Sequence, residues 1–480
     1  MIQGFTNKIE DFALMQKNKP TMTASEKKRL LALFARHINK NQIRFLSAGH
    51  LDILETERQG ISFTDPVTGK RIFDCLSSAG CFNASRHNPE VMQALAEAAD
   101  ELDMGTSGLS SPEKENLAKR LAALAPGDLE GVLFAAGGGE AVDCAIKLAR
   151  GATGRSEIVS TIKAYHGHTG FALSANGKEY YRRYFEPLVP GFTFVPFNDL
   201  GAMEKVVSES TAAVIIEPVQ GEAGIFPADN DYLKGLRALC DRHGALLIFD
   251  EIQTGFGRTG KMFACEHSQV VPDLMTVSKS LCSGLYANAA LLYRRIPVLL
   301  NFMEAHPDFH ETHGGTDIAC RVSLKVIDYL EKNGLCENAA RQGATLKNAL
   351  MALMRENPKI ILEVRGLGLM VGLEYVEEFM GPMMSDALAR HGVFAAYSGN
   401  APQVMRFMVP ITVTDNEMEQ IIAAIQAAVA DMKKLLPVAL LASKIPGVLK
   451  LLNNEKVQIT LFYLLRKIED SLKPAKGKTK

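Results

Sequence analysis

Between about residue 90 and residue 330 the chain alternates short apolar runs with longer stretches of amphipathic, helical periodicity. The runs are Gly131–Ala135, Ile158–Lys163, Phe192–Pro196, Ala212–Glu217, Ala245–Asp250 and Leu274–Ser278. A short run that is apolar at successive positions is buried on both faces. Such runs, separated by helical segments, predict βαβ units and a mainly parallel sheet. Upstream, Ile61 to Leu76 holds short alternating segments broken by Asp65-Pro66 and Thr68-Gly69, which predicts a hairpin. Residues 1 to about 45 are polar and helix-prone, with Lys27-Lys28-Arg29 on a solvated face. Residues 330 to 432 carry helices and short strands, as a smaller C-terminal domain would. There is no internal repeat.

The most informative run is Leu246-Leu247-Ile248-Phe249, because it ends abruptly in Asp250 and is followed by Glu251-Ile252-Gln253. Ligands of open α/β sheets sit just beyond the carboxyl ends of strands. A second apolar run, Leu274 to Val277, then delivers Lys279, twenty-nine positions after Asp250. A buried acid beside a buried lysine suits a cofactor with a ring nitrogen to keep charged and an aldehyde to capture. Pyridoxal phosphate has both: a lysine forms the Schiff base and an acid partners the pyridinium nitrogen. Gly137-Gly138-Gly139 follows a strand and opens a helix predicted to run to about Arg150, with Glu140 and Asp143 near its start and Lys147 and Arg150 near its end. Backbone amides at such an N-terminus bind phosphate, although three glycines alone are more often just a turn. No Gly-Lys-Ser/Thr follows, which argues against Walker-type nucleotide binding.

With these motifs in family order, roughly residues 45 to 430 resemble the class III aminotransferases, the ornithine, acetylornithine and 4-aminobutyrate group of fold-type I enzymes. The segments are Phe134–Ala141, Tyr165–Thr169, Ile216–Glu222, Asp250–Gln253, Ser278-Lys279, Thr312–Gly315, Arg365–Leu369 and Met405–Phe407. The resemblance implies an α/β fold: a large domain with a seven-stranded, mostly parallel sheet, and a smaller α/β domain. It implies that Lys279 is catalytic and that Gly138, Gly139, Tyr165, His166, Asp250, Gln253 and Thr312 bind pyridoxal 5'-phosphate. Tyr165 would stack on the ring, His166 would lie near Asp250, Gln253 would bond the ring hydroxyl, and Thr312 would reach the phosphate of a neighbouring subunit, making a homodimer with shared sites. Arg406 would bind a substrate carboxylate as a planar fork, paired with Glu222, while Glu217 would stand behind the cofactor edge. The chain departs from the family at Gly137, where a hydroxyl residue is usual, at Gly284–Asn288 and at Thr316-Asp317. Ser78-Ala79-Gly80-Cys81 on the substrate side is made of small residues, which suggests a roomier pocket.

The implied activity is ping-pong transfer of an amino group, expected to be a terminal one, from an amine or amino acid to an acceptor such as 2-oxoglutarate or pyruvate. The same fold also supports aminomutase, racemase or decarboxylase chemistry, and a non-catalytic descendant would keep the fold alone. The chain has 480 residues, 47% hydrophobic and 22% charged, with a net charge of −1. That balance is ordinary for a globular protein and supplies no field favouring nucleic acid. Eight scattered cysteines lack metal-ligand spacing and read as reduced thiols. No secretory h-region or bilayer-length apolar run is present, so a cytoplasmic enzyme is expected. The expected division is 1–90 contributing to the small domain, 91–330 as the large domain, 331–435 as the C-terminal small domain, and 436–480 as a basic extension. In that extension nine Lys and Arg face three Asp and Glu, interleaved with apolar residues. It reads either as amphipathic helices docking on a membrane surface or partner protein, or as a segment packed on the enzyme body.

Overall fold

The computed structural model describes residues 22–48 and 51–443. Seven strands form the large sheet: β1 (Gly131–Ala135), β2 (Glu157–Thr161), β3 (Phe192–Val195), β4 (Thr211–Ile216), β5 (Leu246–Asp250), β6 (Leu274–Val277) and β7 (Ala289–Tyr293). Their order is β1-β7-β6-β5-β4-β2-β3. β5 pairs in parallel with both β4 and β6, whereas β7 runs antiparallel to β6 and β1. All residues of β4, β5 and β6 are buried, which accounts for their unbroken apolar sequence. Six of the strands match the apolar runs. β7 is the one that no run announced: its Ala289-Ala290 start is too small to stand out from the loop before it.

Helix Gly138–Thr153 follows β1 and closes at Gly154, whose φ of 67° is the left-handed cap that glycine tolerates. Its buried face, with Val142, Ala145, Ile146, Leu148 and Ala149, packs on Ile158, Ala213, Ile215 and Ile248 of the sheet. Burying such side chains stabilises the layer by about 1.5–3 kcal/mol each.

The chain divides into two compact units. One comprises residues 75–381 and 396–422; among the described residues the other comprises 22–48, 51–74, 382–395 and 423–443. In the second, Ser62–Thr64 and Arg71–Asp74 form the predicted hairpin, turned by Asp65, whose carboxylate accepts the Val67 N–H at 2.8 Å. Thr56–Gln59 and Val393–Phe394 complete a four-stranded sheet. Helix Ala24–Phe34 opens on a capping box between Thr23 and Glu26.

These units do not divide at the expected positions 90, 330 and 435. Residues 331–381 and 396–422 stay with the large sheet. Their own antiparallel sheet (Ile361–Leu367, Met370–Tyr375, Ala396–Tyr397, Val404–Phe407) carries Met370 and Met408 into a core cluster with Val219 and Ile225. Arg365 also donates to the Gly224 carbonyl at 2.9 Å. Residues 75–90 belong with the large sheet too, because Asn83 donates to the Phe256 carbonyl at 2.6 Å. Helix Asp415–Ser443 carries the chain into the start of the basic extension, and the rest of that extension, with both readings of it, lies outside the described residues. Among the described residues no helix is long and apolar enough to cross a membrane.

Candidate active site

β5 and β6 end side by side, with Asp250 in register with Thr276. Asp250 and Lys279 therefore leave neighbouring strand ends on one edge of the sheet, where a cavity of about 190 Å3 opens. Its lining includes Gly138, Gly139, Tyr165, His166, Glu217, Glu222, Asp250, Gln253 and Lys279. Residues drawn from five separate segments of sequence thus meet in one place, all within the larger unit. Arg406 joins them through its ion pair with Glu222. Thr312 does not: it is exposed and is not part of the cavity wall.

Asp250 is 5% exposed and its carboxylate is fully engaged. Oδ2 lies 2.8 Å from His166 Nδ1, and Oδ1 accepts the Ile252 N–H at 3.1 Å and the Thr276 hydroxyl at 3.3 Å. Two donors and the His166 ring nitrogen thus surround one buried carboxylate and fix its orientation. His166 is itself fixed by its backbone N–H, which donates to Asn176 Oδ1 at 2.6 Å. Thr276 and Asn176 are residues that sequence reasoning missed. The parallel register of β5 and β6 was the signal for Thr276, and nothing local marked Asn176.

Glu217 directly follows β4 and faces the same cavity. Its carboxylate accepts the Tyr165 N–H at 2.9 Å and the Gly221 N–H at 3.2 Å. Burial pushes its pKa up to about 7, opposed by the His166 imidazole and reinforced by the Asp250 charge. A folded-state pKa above the unfolded value of 4.5 means that the folded chain holds a proton that the unfolded chain has released. The associated stability is full below pH 4.5 and is lost as pH rises through about 7. Glu217→Gln should remove this loss. In cofactor-free protein, unfolding by urea at several pH values should show the variant gaining about 3 kcal/mol on wild type between pH 4.5 and pH 7.5, of the order the shift implies. Parallel curves for the two proteins would contradict it.

The glycines at the start of helix Gly138–Thr153 are set by close approach. A Cβ on Gly138 would fall 3.1 Å from Ile252 Cδ1, and one on Gly139 would fall 2.8 Å from Thr169 Oγ1. At Gly137 a Cβ would meet nothing within 4 Å, and this cap has no side-chain hydrogen bond. The hydroxyl missing at that position is therefore not excluded for lack of space. Thr316, another departure, caps helix Asp317–Lys332 through the Ala319 N–H.

Gln253 Oε1 lies against Gly221, where a Cβ would come within 1.5 Å of it. Its Nε2 donates to the Ala79 carbonyl at 3.2 Å and keeps a second hydrogen for another acceptor. That carbonyl belongs to an unusual turn: Ser77, Ser78, Ala79 and Gly80 have φ of 52°, 49°, 58° and 92°. Left-handed backbone costs about 1–2 kcal/mol for each non-glycine residue. Lys279 is also left-handed, with φ 45°. Tyr165 packs edge-on against Tyr181 and His168, with ring centroids 5.3 and 5.6 Å away, so an aromatic wall stands at the cavity mouth. Tyr181 and the edge-on contact of His168 were not foreseen. Among the described residues no cluster of three or more His, Cys, Asp and Glu is arranged to hold a metal ion.

Comparison with known proteins agrees with this geometry. Residues 46–429 match the family model for class-III aminotransferases. The chain is 39% identical over 396 residues to an uncharacterized aminotransferase of Archaeoglobus fulgidus, covering 82% of this chain and 92% of the relative. The ornithine aminotransferase of Toxoplasma gondii superposes with a TM-score of 0.79 at 26% identity, covering 85% of this chain and 96% of that one. A thermostable (S)-enantioselective omega-transaminase from Thermomicrobium roseum superposes with a TM-score of 0.77 at 30% identity, covering 86% and 99%. With a family model spanning most of its length, a 39% identical relative and the sheet those enzymes share, the chain belongs to the class III aminotransferases, fold-type I enzymes that transfer amino groups with pyridoxal phosphate.

Proposed function

We propose that this enzyme moves a terminal amino group from an amine or amino acid to a carbonyl acceptor such as 2-oxoglutarate or pyruvate, in two half-reactions at one site. The observation that carries this reading is the single cavity holding Lys279, Asp250, His166 and Gln253, with the Glu222–Arg406 pair beside it.

These residues fit pyridoxal phosphate. Gly138 and Gly139 offer backbone amides at a helix N-terminus for the phosphate. Gln253 keeps a free hydrogen that would serve the ring oxygen, and Asp250 would partner the ring nitrogen. Bound, the cofactor supplies an aldehyde that captures the amine and a ring that takes up the electron pair left on Cα. Lys279 Nζ would hold the cofactor at rest, and its freed amine would move the proton from and to the reacting carbon. Asp250, its orientation fixed by His166 and Thr276, would face the ring nitrogen and supply its acidic partner. Tyr165 excludes water from one ring face.

Glu222 and Arg406 sort the two partners. While Glu222 holds Arg406, the pocket accepts a donor without a second carboxylate. When Glu222 swings aside, the guanidinium forks onto the carboxylate of the acceptor. Thr312, exposed and outside its own cavity, supports a homodimer in which each copy lends it to the other's phosphate end. Eight cysteines that form no disulfide among the described residues support a cytoplasmic setting.

The test is amine exchange across a panel of mono- and diamines and amino acids, with 2-oxoglutarate and pyruvate as acceptors. Turnover confined to terminal amines supports the reading. Conversion of a donor without any acceptor would instead indicate aminomutase, racemase or decarboxylase chemistry. In the same assay Arg406→Ala should lower kcat/KM for 2-oxoglutarate by about ten- to a hundredfold, the loss of a charge-assisted contact worth about 1.5–3 kcal/mol. The half-reaction with a donor lacking a carboxylate should be nearly unchanged. Equal loss in both half-reactions would refute the role of Arg406.

A further inference from the structure

The left-handed turn Ser77–Gly80 is stitched to the segment that carries Lys279. Ser280, the residue after the lysine, is 2% exposed, and its hydroxyl donates to the Gly80 carbonyl at 2.6 Å. Further on, Ser283 Oγ accepts the Ala84 N–H at 2.9 Å. Phe82 lies so close to Gly284 that a Cβ there would come within 2.2 Å of its ring. On its other side the same turn receives the Gln253 amide at Ala79 O. Ala79 also packs on the cluster of Val219, Ile225, Met370 and Met408. One carbonyl of this strained turn is thus tied to the lysine segment, and the carbonyl before it is tied to Gln253.

We propose that Ser280 is a positioning residue, which holds the Ser77–Gly80 turn in its left-handed form and thereby fixes both the lysine backbone and the Gln253 amide. Strained backbone persists only where surrounding contacts over-determine it, and it gathers at functional sites. Ser280 supplies the contact that reaches the turn from the lysine side. Without it the Gly80 carbonyl loses its buried partner, the turn relaxes, and Lys279 and Gln253 lose their common reference. The small residues Ser78, Ala79 and Gly80 are then explained twice over: they leave room in the pocket, and they tolerate this backbone better than branched residues would.

The inference rests on Lys279 as the cofactor lysine, so borohydride reduction and peptide mapping of the wild-type holoenzyme come first. An adduct on another lysine overturns that assignment and this proposal with it. With the adduct on Lys279, three full-length variants separate positioning from bulk stability: Ser280→Ala, Ala79→Gly and Ser283→Ala. Each is measured for pyridoxal phosphate affinity, for visible circular dichroism at full occupancy, and for thermal unfolding without cofactor. Ser280→Ala should weaken cofactor binding about tenfold, the order expected for one buried hydrogen bond, and should lose most of the visible dichroism. Ala79→Gly removes no side-chain hydrogen bond and relieves a left-handed alanine, so the turn keeps its form at lower cost and the dichroism should stay as in wild type. Ser283→Ala deletes a comparable bond off this path, and should lower the unfolding temperature while leaving the dichroism as in wild type. Wild-type dichroism and affinity in Ser280→Ala would overturn the proposal, as would loss of dichroism in Ala79→Gly, whose turn is easier to hold. So would equal loss of dichroism in Ser283→Ala, since the effect would then be one of stability.

Discussion

Lys279→Ala is expected to give a folded protein that forms no lysine adduct with pyridoxal phosphate and transfers amino groups at least about 10²–10⁴-fold more slowly, the range for losing a positioned acid–base group. Among the described residues Lys279 is the sole lysine lining the cavity. It is delivered by β6, buried along its whole length, and its φ of 45° turns the chain abruptly at the strand end. No other lysine in the wall is available to replace it. Stability should change little, because the side chain is only half-buried and makes no hydrogen bond that holds the fold. The measurement is visible absorbance with added cofactor, followed by borohydride reduction and peptide mapping of wild type and variant. A retained, reducible adduct in Lys279→Ala, on any residue, would show that the cofactor is captured elsewhere.

Much of this arrangement was legible in the sequence because strands buried on both faces leave a continuous apolar trace, as β4, β5 and β6 do. The abrupt polar ends of such strands then marked Asp250 and Lys279. The edges of that legibility are physical. β7 opens with small residues and carries no strong apolar signal. The unit boundaries follow the core cluster of Met370 and Met408 with Val219 and Ile225, which is a matter of contact between distant segments and has no local trace. Asn176, Tyr181 and Ser280 act on the site through contacts ten to two hundred positions away in sequence, or through ring packing, so only the folded chain reveals them. The left-handed run Ser77–Gly80 was visible only as a patch of small residues. Its handedness depends on partners at Ser280 and Gln253.

Asp250→Asn should fail differently from Lys279→Ala. The cofactor should remain bound, since Lys279, the amides of Gly138 and Gly139, and Gln253 are untouched. The chemical step should slow by about 10²–10³-fold, as when one preorganised electrostatic partner is removed from a site. Two losses act together. The charge that keeps the ring nitrogen protonated disappears, so the ring takes up the Cα electron pair less readily. The carboxylate also accepts from three sides: from the Ile252 N–H at 3.1 Å, from the Thr276 hydroxyl at 3.3 Å, and at Oδ2 beside His166 Nδ1 at 2.8 Å. An asparagine has one oxygen and one NH2, so it can satisfy either the Ile252 and Thr276 donors or a protonated His166 Nδ1, but not both. If the amide oxygen keeps the first pair, the NH2 faces His166 and selects the tautomer with an unprotonated Nδ1. Single-turnover kinetics of the donor half-reaction, with cofactor occupancy measured on the same sample, separates holding from chemistry. Full occupancy with a slowed half-reaction is the expected result. A wild-type rate would remove Asp250 from the reaction, and loss of the cofactor with an unchanged rate per occupied site would make it a binding residue alone.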